Sequence, residues 1–302
     1  MKVTFEGPLA ASAYEVLGVD ATVDDDELRR AYRLRLRQTH PDTGGDAALF
    51  IRVQRAWDHV GTSEARAAYD SGRRSPVWSA RLTSTTGTRP RATVFGEAGA
   101  WRRREYLDLL AAHLGHAVTE SQAYDPAVVR GAPWEVRRML ADALAEETTA
   151  AAVEELGIGF TAWHGVSWGG EDVLDHVVLG PTGLYGLTSE DFGDTVRFRQ
   201  GEVIGGAVHG STPVADLLSR MRAVSRAARV RFAGAILILP DEDLEHPSTV
   251  LGSVRGVPVM VVRRSALRPI LRVGVPGARP LGVGEAFDVR ARVKQAVTLR
   301  SS

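Results

Sequence analysis

Residues 23–61 hold two runs of helical apolar periodicity separated by one break, and nothing else in the chain restricts its fold as tightly. In VDDDELRRAYRLRLRQT (23–39), Leu28, Ala31, Tyr32 and Leu36 recur three or four residues apart and trace one apolar stripe. In DAALFIRVQRAWDHVG (46–61), Phe50, Val53, Trp57 and Val60 do the same. Asp24, Asp25, Asp26 and Glu27 crowd the start of the first run, where carboxylates suit the positive end of a helix. Between the runs stands RQTHPDTGGD (37–46). Pro41 has no amide proton to donate and drives His40 out of the α region, so the first helix must stop there. Thr43, Gly44 and Gly45 turn the chain, and Asp46 can cap the second helix. Two amphipathic helices so joined bury their stripes on each other as an antiparallel hairpin.

The rest of the 302-residue chain is long enough for a second domain. Thirty-seven basic and thirty-seven acidic residues cancel, so no global field favours nucleic acid or membrane, and any such binding must be local. Cysteine is absent, which removes disulfides, thiolate metal sites and cysteine nucleophiles. The N-terminal residues lack the apolar stretch of a signal peptide, and runs such as FAGAILIL (232–239) fall short of the ~18 residues that span a bilayer. The expectation is a cytoplasmic protein without a membrane partner. Residues 73–100, rich in Arg, Ser, Thr, Gly and Pro without apolar period, read as a flexible linker between a domain at 1–72 and one at 101–302. Beyond it, helices are expected at 101–115, 134–156 and 213–228. Strands are expected at 158–166, 173–179, 183–188, 195–198, 202–204, 234–240 and 257–262, giving a mixed sheet flanked by helices.

On its own the His40-Pro41-Asp42 tripeptide is a turn. Its surroundings carry more. Tyr14-Glu15-Val16-Leu17-Gly18 precedes the first long helix, Ala31-Tyr32 ends eight residues ahead of His40, and Phe50, Val53, Ala56, Trp57, Val60, Arg66, Tyr69 and Asp70 follow at matching spacings. Over residues 12–70 this pattern resembles the J-domain of the DnaJ co-chaperone family. The resemblance implies an all-α helical hairpin that docks on a DnaK-type ATPase chaperone and stimulates its ATP hydrolysis. It assigns docking to His40, Pro41 and Asp42 with the basic residues Arg29, Arg30, Arg33 and Arg37 of the preceding helix. An exposed carboxylate on a proline-fixed loop can accept a bidentate bond from a partner arginine, and arginines on one helix face steer an acidic surface into register. No nucleophile accompanies the His-Asp pair, so the loop reads as a docking element and not a catalytic one.

A second resemblance covers roughly 134–265. A helical glutamate, Glu146 or Glu147, a strand ending AWHGV, and LDHVVLGPTGLYGL with Asp175 look like the nuclease-related domain (NERD) of the restriction-endonuclease-like PD-(D/E)XK superfamily. In that superfamily an aspartate and a glutamate hold Mg²⁺ and a lysine helps activate water. Here the matching glutamate and lysine positions are Thr188 and Glu190, and no lysine occurs between Lys2 and Lys294. Glu147, Asp175, Thr188 and Glu190 are thus expected to form a vestigial site with no metal and no cofactor, in a domain that binds an unknown client protein. Two alternatives are a Mg²⁺-dependent nuclease built on Glu147, Asp175 and Glu190, and an adaptor whose linker arginines touch nucleic acid.

Overall fold

A computed structural model describes residues 12–40, 45, 47–74, 90–169, 172–277 and 280–300. In chain order the elements begin with helices α1 (Ala13–Leu17), α2 (Asp25–Thr39), α3 (Ala47–Val60) and α4 (Ser63–Arg74). Strand β1 (Thr93–Phe95) and helices α5 (Ala100–Leu114), α6 (Glu120–Ala123), α7 (Pro126–Gly131) and α8 (Trp134–Glu154) come next. The described residues divide into two units, one joining the N-terminal helices with Glu120–Gly131 and the other holding the remainder of the chain.

In the first unit the two apolar stripes meet as expected. Leu28 of α2 and Val53, Ala56 and Val60 of α3 bury against Ala13, Tyr14 and Leu17 of α1, and Tyr32 stacks on Trp57 with ring centroids 4.3 Å apart. α1 is only five residues long and is held by its ends. Ser12 and Glu15 form a reciprocal capping box, and Gly18 closes the helix at φ 74°, a left-handed conformation that favours glycine. Tyr69 and Asp70 of α4 then fasten α1 from outside, Tyr69 Oη accepting from the Ala13 amide at 2.8 Å and the Tyr14 hydroxyl donating to Asp70 at 3.0 Å. Arg66 donates to the carbonyls of Ala21 and Val23, pinning the segment that leads into α2.

The second unit is a mixed eight-stranded sheet with helices on both faces. Its later elements are β2 (Thr161–Ser167), β3 (Leu174–Gly180), β4 (Gly183–Ser189), β5 (Arg197–Arg199), β6 (Glu202–Ile204), α9 (Pro213–Ala228), β7 (Gly234–Leu239), β8 (Ser248–Val254), β9 (Val257–Arg263), α10 (Leu267–Val273), α11 (Val283–Ala296) and β10 (Thr298–Leu299). The strand order is β1-β2-β3-β4-β7-β9-β8, with β10 antiparallel to β2 and β5-β6 as a separate hairpin. β2, β3 and β4 form an antiparallel meander, and α9 carries the chain over so that β7 lies parallel to β4. The central strands are buried on both faces, as the near-continuous apolar runs of β7 and β9 require. One core joins Val177, Leu179 and Leu237 to Leu217, Met221 and Val224 of α9 and Val289 and Val293 of α11. The opposite core joins Val178, Leu187 and Ile236 to Val153 of α8 and Leu267 and Leu271 of α10.

The segment expected as a linker over 73–100 needs correcting at both ends. Residues 73–74 belong to α4, residues 75–89 lie outside the described residues, and Thr93–Phe95 pair parallel with β2 in register Thr93↔Thr161. Three residues are too few for a period-2 pattern to stand out, and β1 is ordered by its neighbour more than by its own sequence.

Candidate functional site

Two groupings of polar side chains bear on function, one in each unit. In the first, the acidic first turn of α2 is capped by Asp24, whose carboxylate accepts from the Glu27 amide at 2.7 Å. Arg29, Arg33 and Arg37 recur at four-residue intervals along one face, with Arg30 beside them, and all four are exposed. Each of Arg30, Arg33 and Arg37 donates Nε–H to the carbonyl one turn back, which lays the guanidinium stems along the helix. The helix stops where proline requires it: His40 is extended at φ −65° and ψ 130°, its carbonyl accepts from the Gly45 amide at 3.0 Å, and its ring meets Phe50 edge-on at 5.1 Å. Pro41 and Asp42 lie outside the described residues. Leu34, on the same helix, is half exposed.

In the second unit a set of buried charges converges at the end of the sheet where β3 begins and β4 ends. Arg102 of α5 is its centre. Its Nε bonds Glu146, its Nη1 lies 3.4 Å from Asp142, and its Nη2 lies 3.3 Å from Asp175. Arg138 of α8 bridges Asp142, at 3.0 Å, to Glu190 just past β4. Asp175 also accepts the Thr188 hydroxyl at 2.6 Å and the Ser189 amide at 2.9 Å. Three of the four residues expected here, Asp175, Thr188 and Glu190, are therefore drawn together. Glu147 is not among them. It pairs with Arg103, and its neighbour Glu146, wholly buried, is the helical carboxylate that joins Asp175 through Arg102. Asp142, Glu146 and Thr149 recur at i, i+4 and i+7 on the buried side of α8, a polar stripe on a core-facing helix whose spacing is visible in the sequence. Arg102 has no such signal, because nothing in WRRRE distinguishes it from Arg103 and Arg104.

Four carboxylates share two guanidiniums out of water, so they cannot all ionise cheaply. Burial, with the Asp175 charge adding to it, raises Glu146 to about 8 despite Arg102 beside it, and burial with Asp142 raises Glu190 to about 7. Burial pushes Asp175 up as well, yet Arg102, His176, Thr188 and the Ser189 amide outweigh it and hold that carboxyl below its ordinary range. Burial works against the Arg102 charge, but the surrounding carboxylates keep its pKa well above the usual value.

Mg²⁺ does not fit these residues. The guanidinium of Arg102 already stands among Glu146, Asp142 and Asp175, supplying the positive charge a divalent ion would bring. A second cation there would repel it, and no group of three or more His, Asp or Glu able to hold a metal occurs among the described residues. Among the described hydrogen bonds His176 meets none of the charged groups of the cluster. Its Nδ1 lies 2.7 Å from Nδ1 of His164 and its Nε2 lies 3.3 Å from the Ser189 hydroxyl, which donates to Thr149, and burial lowers both histidines.

The family match falls on the N-terminal helices of the first unit. The DnaJ domain family matches residues 12–70. The segment is similar to "Chaperone protein DnaJ" of Cereibacter sphaeroides (strain KD131 / KCTC 12085), 43% identical over 61 residues, covering 19% of this chain and 16% of that protein. It is similar to "Chaperone protein dnaJ A6" of Oryza sativa subsp. japonica, 44% identical over 57 residues, covering 19% and 14%. It also resembles "Tetratricopeptide repeat and J domain-containing co-chaperone DNJ1" of Mycosarcoma maydis, 39% identical over 59 residues, covering 20% and 10%. The chain thus spans less than a fifth of the length of these relatives. No solved structure matches it. Residues 12–70 are a J-domain, followed by a mixed sheet with flanking helices. No helix among the described residues is long and apolar enough to cross a membrane.

Proposed function

We propose that this chain is a J-domain co-chaperone that docks on a DnaK-type chaperone and stimulates its ATPase, while its C-terminal domain binds a client or partner without catalysis. The observation that carries the first part is the J-domain at 12–70 with Arg29, Arg30, Arg33 and Arg37 exposed on α2, a helix that ends at His40, immediately before Pro41 and Asp42 in the sequence. In this reading Asp42 accepts a charge-assisted bond from the chaperone and the α2 arginines bring an acidic surface into register. The second part is supported by Arg102, which neutralises the carboxylates where nuclease chemistry would need a cation. The restriction-endonuclease-like relationship of this domain, and its place in the cytoplasm, belong to the same proposal.

Binding of the full chain to an immobilised DnaK-type chaperone in the presence of ATP tests the docking surface. Association should slow as salt rises. It should weaken in Arg29→Glu/Arg33→Glu and be lost in Asp42→Asn. Binding that is equally tight in both variants would contradict the proposal.

A further inference from the structure

The formal charges of the chain cancel, yet two segments of the second unit hold cations alone. Residues 217–233 contain five arginines and no acid, and residues 289–300 contain three arginines, one lysine and no acid. The fold brings these segments side by side. α9 and α11 lie on the same face of the sheet with Val224 and Val293 in one core, and Arg292 of α11 reaches across to donate to the carbonyl of Arg229 at the end of α9, at 2.9 Å. Arg222, Arg226, Arg229, Arg231, Arg290 and Arg292 are all exposed. None forms an ion pair with a described carboxylate, and Asp288, one turn ahead of Arg292, does not pair with it. Arg222 and Arg226 give Nε–H to carbonyls of their own helix, which leaves their Nη groups unclaimed among the described residues.

Like charges gathered without partners repel, and a ligand that neutralises several of them at once is favoured. We propose that the paired faces of α9 and α11, centred on Arg222, Arg226, Arg229 and Arg292, are a sequence-independent docking surface for the phosphodiester backbone of a nucleic acid. The cations are guanidiniums, whose planar forks match phosphate oxygens bidentately. Arg222 and Arg226 repeat at four residues, about 6 Å along the helix, so that neighbouring guanidiniums can meet successive phosphates of one strand. An anionic bilayer fits less well. Besides Arg222 and Arg226, the exposed positions of α9 are Ala215, Asp216, Ser219 and Ala227, with no large apolar side chain to insert and with the one acid in the first turn. Among the described side chains of α11 the ring of Phe287 is the one large apolar group that is exposed, suited to stacking on an unpaired base. This surface depends neither on the J-domain nor on the Arg102 cluster.

Fluorescence anisotropy of labelled single-stranded DNA, single-stranded RNA and duplex DNA with the full chain tests the surface. Poly-glutamate and phosphatidylserine vesicles serve as the other polyanions. Nucleic acid should bind at about 50 mM salt and weaken steeply by about 200 mM. The slope of log K against log salt should be roughly −0.7 per contact on single strands and −0.9 on duplex. Arg222→Glu/Arg226→Glu should lower the affinity at least about tenfold and flatten the slope by about one to two, with the melting temperature unchanged. Should that pair fail to fold, Arg226→Gln/Arg229→Gln should give a smaller loss in the same direction. Three results would overturn the proposal: no binding at about 50 mM salt, unchanged affinity in folded variants, or binding to vesicles or poly-glutamate without binding to nucleic acid.

Discussion

Arg102 decides the chemistry of the C-terminal domain because it is a fixed cation that no metal has to supply. Removing one member of a buried charged set leaves the others uncompensated, so Arg102→Met should destabilise the domain by about 3–5 kcal/mol, measured by urea denaturation. A loss below about 1 kcal/mol would mean that the carboxylates do not depend on it. Glu146 and Glu190 of this set, together with Asp243, a separate buried carboxylate in the turn after β7, set a pH dependence whose sign comes from their pKa values. Glu190, Glu146 and Asp243 are raised to about 7, about 8 and about 9, each chiefly by burial and then by neighbouring carboxylates, far above an ordinary carboxyl near 4. From about pH 4 upward the folded chain therefore binds more protons than the unfolded one, and these groups lower stability as pH rises from there until the last of them ionises near 9, by up to roughly 1.4 kcal/mol per pH unit for each such proton. His176, lowered to about 4, acts in the other direction only below its ordinary 6.5, so it leaves the fall above that pH untouched. Thermal melts should show the melting temperature dropping between about pH 6.5 and pH 9, and Asp243→Asn should flatten that drop; a flat wild-type profile would contradict these assignments. Single residues are legible in the sequence where chemistry repeats at fixed spacing, as in the α2 arginines. They are opaque where partners come from distant segments: nothing local separates Glu146 from Glu147, or Arg102 from the arginines beside it.

Among the elements, those with long apolar periods are readable from the residues alone. α2, α3, α8 and α9 lie within two residues of the expected bounds, because a stripe of buried side chains fixes both period and extent. β1, β8, α10 and α11 leave no comparable trace. β1 is three residues long, β8 is an edge strand with mostly exposed side chains, and α11 buries only Val289 and Val293 among its described side chains. The packing of α9 on β4 turns on Gly186, where an added Cβ would stand 2.4 Å from Cγ of Met221. Gly186→Ala should therefore push α9 off the sheet and cost about 1–3 kcal/mol in a denaturation experiment. An unchanged midpoint would show that Met221 can move aside freely.

The chain as a molecule joins a J-domain to a mixed-sheet domain through residues whose composition is that of a linker. If the C-terminal domain binds a client as proposed, a Gly/Ser segment as long as residues 75–89 would reach ~20 Å, enough to raise the client's local concentration at the chaperone. Replacing residues 75–89 with a Gly/Ser segment of equal length should preserve recruitment of a client to the chaperone in a pull-down. Cutting the chain there should lose it, and equal failure of both would assign specific contacts to the replaced residues. All of this presupposes that the J-domain works. Its most direct test is the single-turnover rate of ATP hydrolysis by the host's DnaK-type chaperone with increasing amounts of the full chain. A saturable rise is expected with the wild type and none with Asp42→Asn of equal melting temperature; no rise with the wild type, or the same rise with both, would contradict the co-chaperone function.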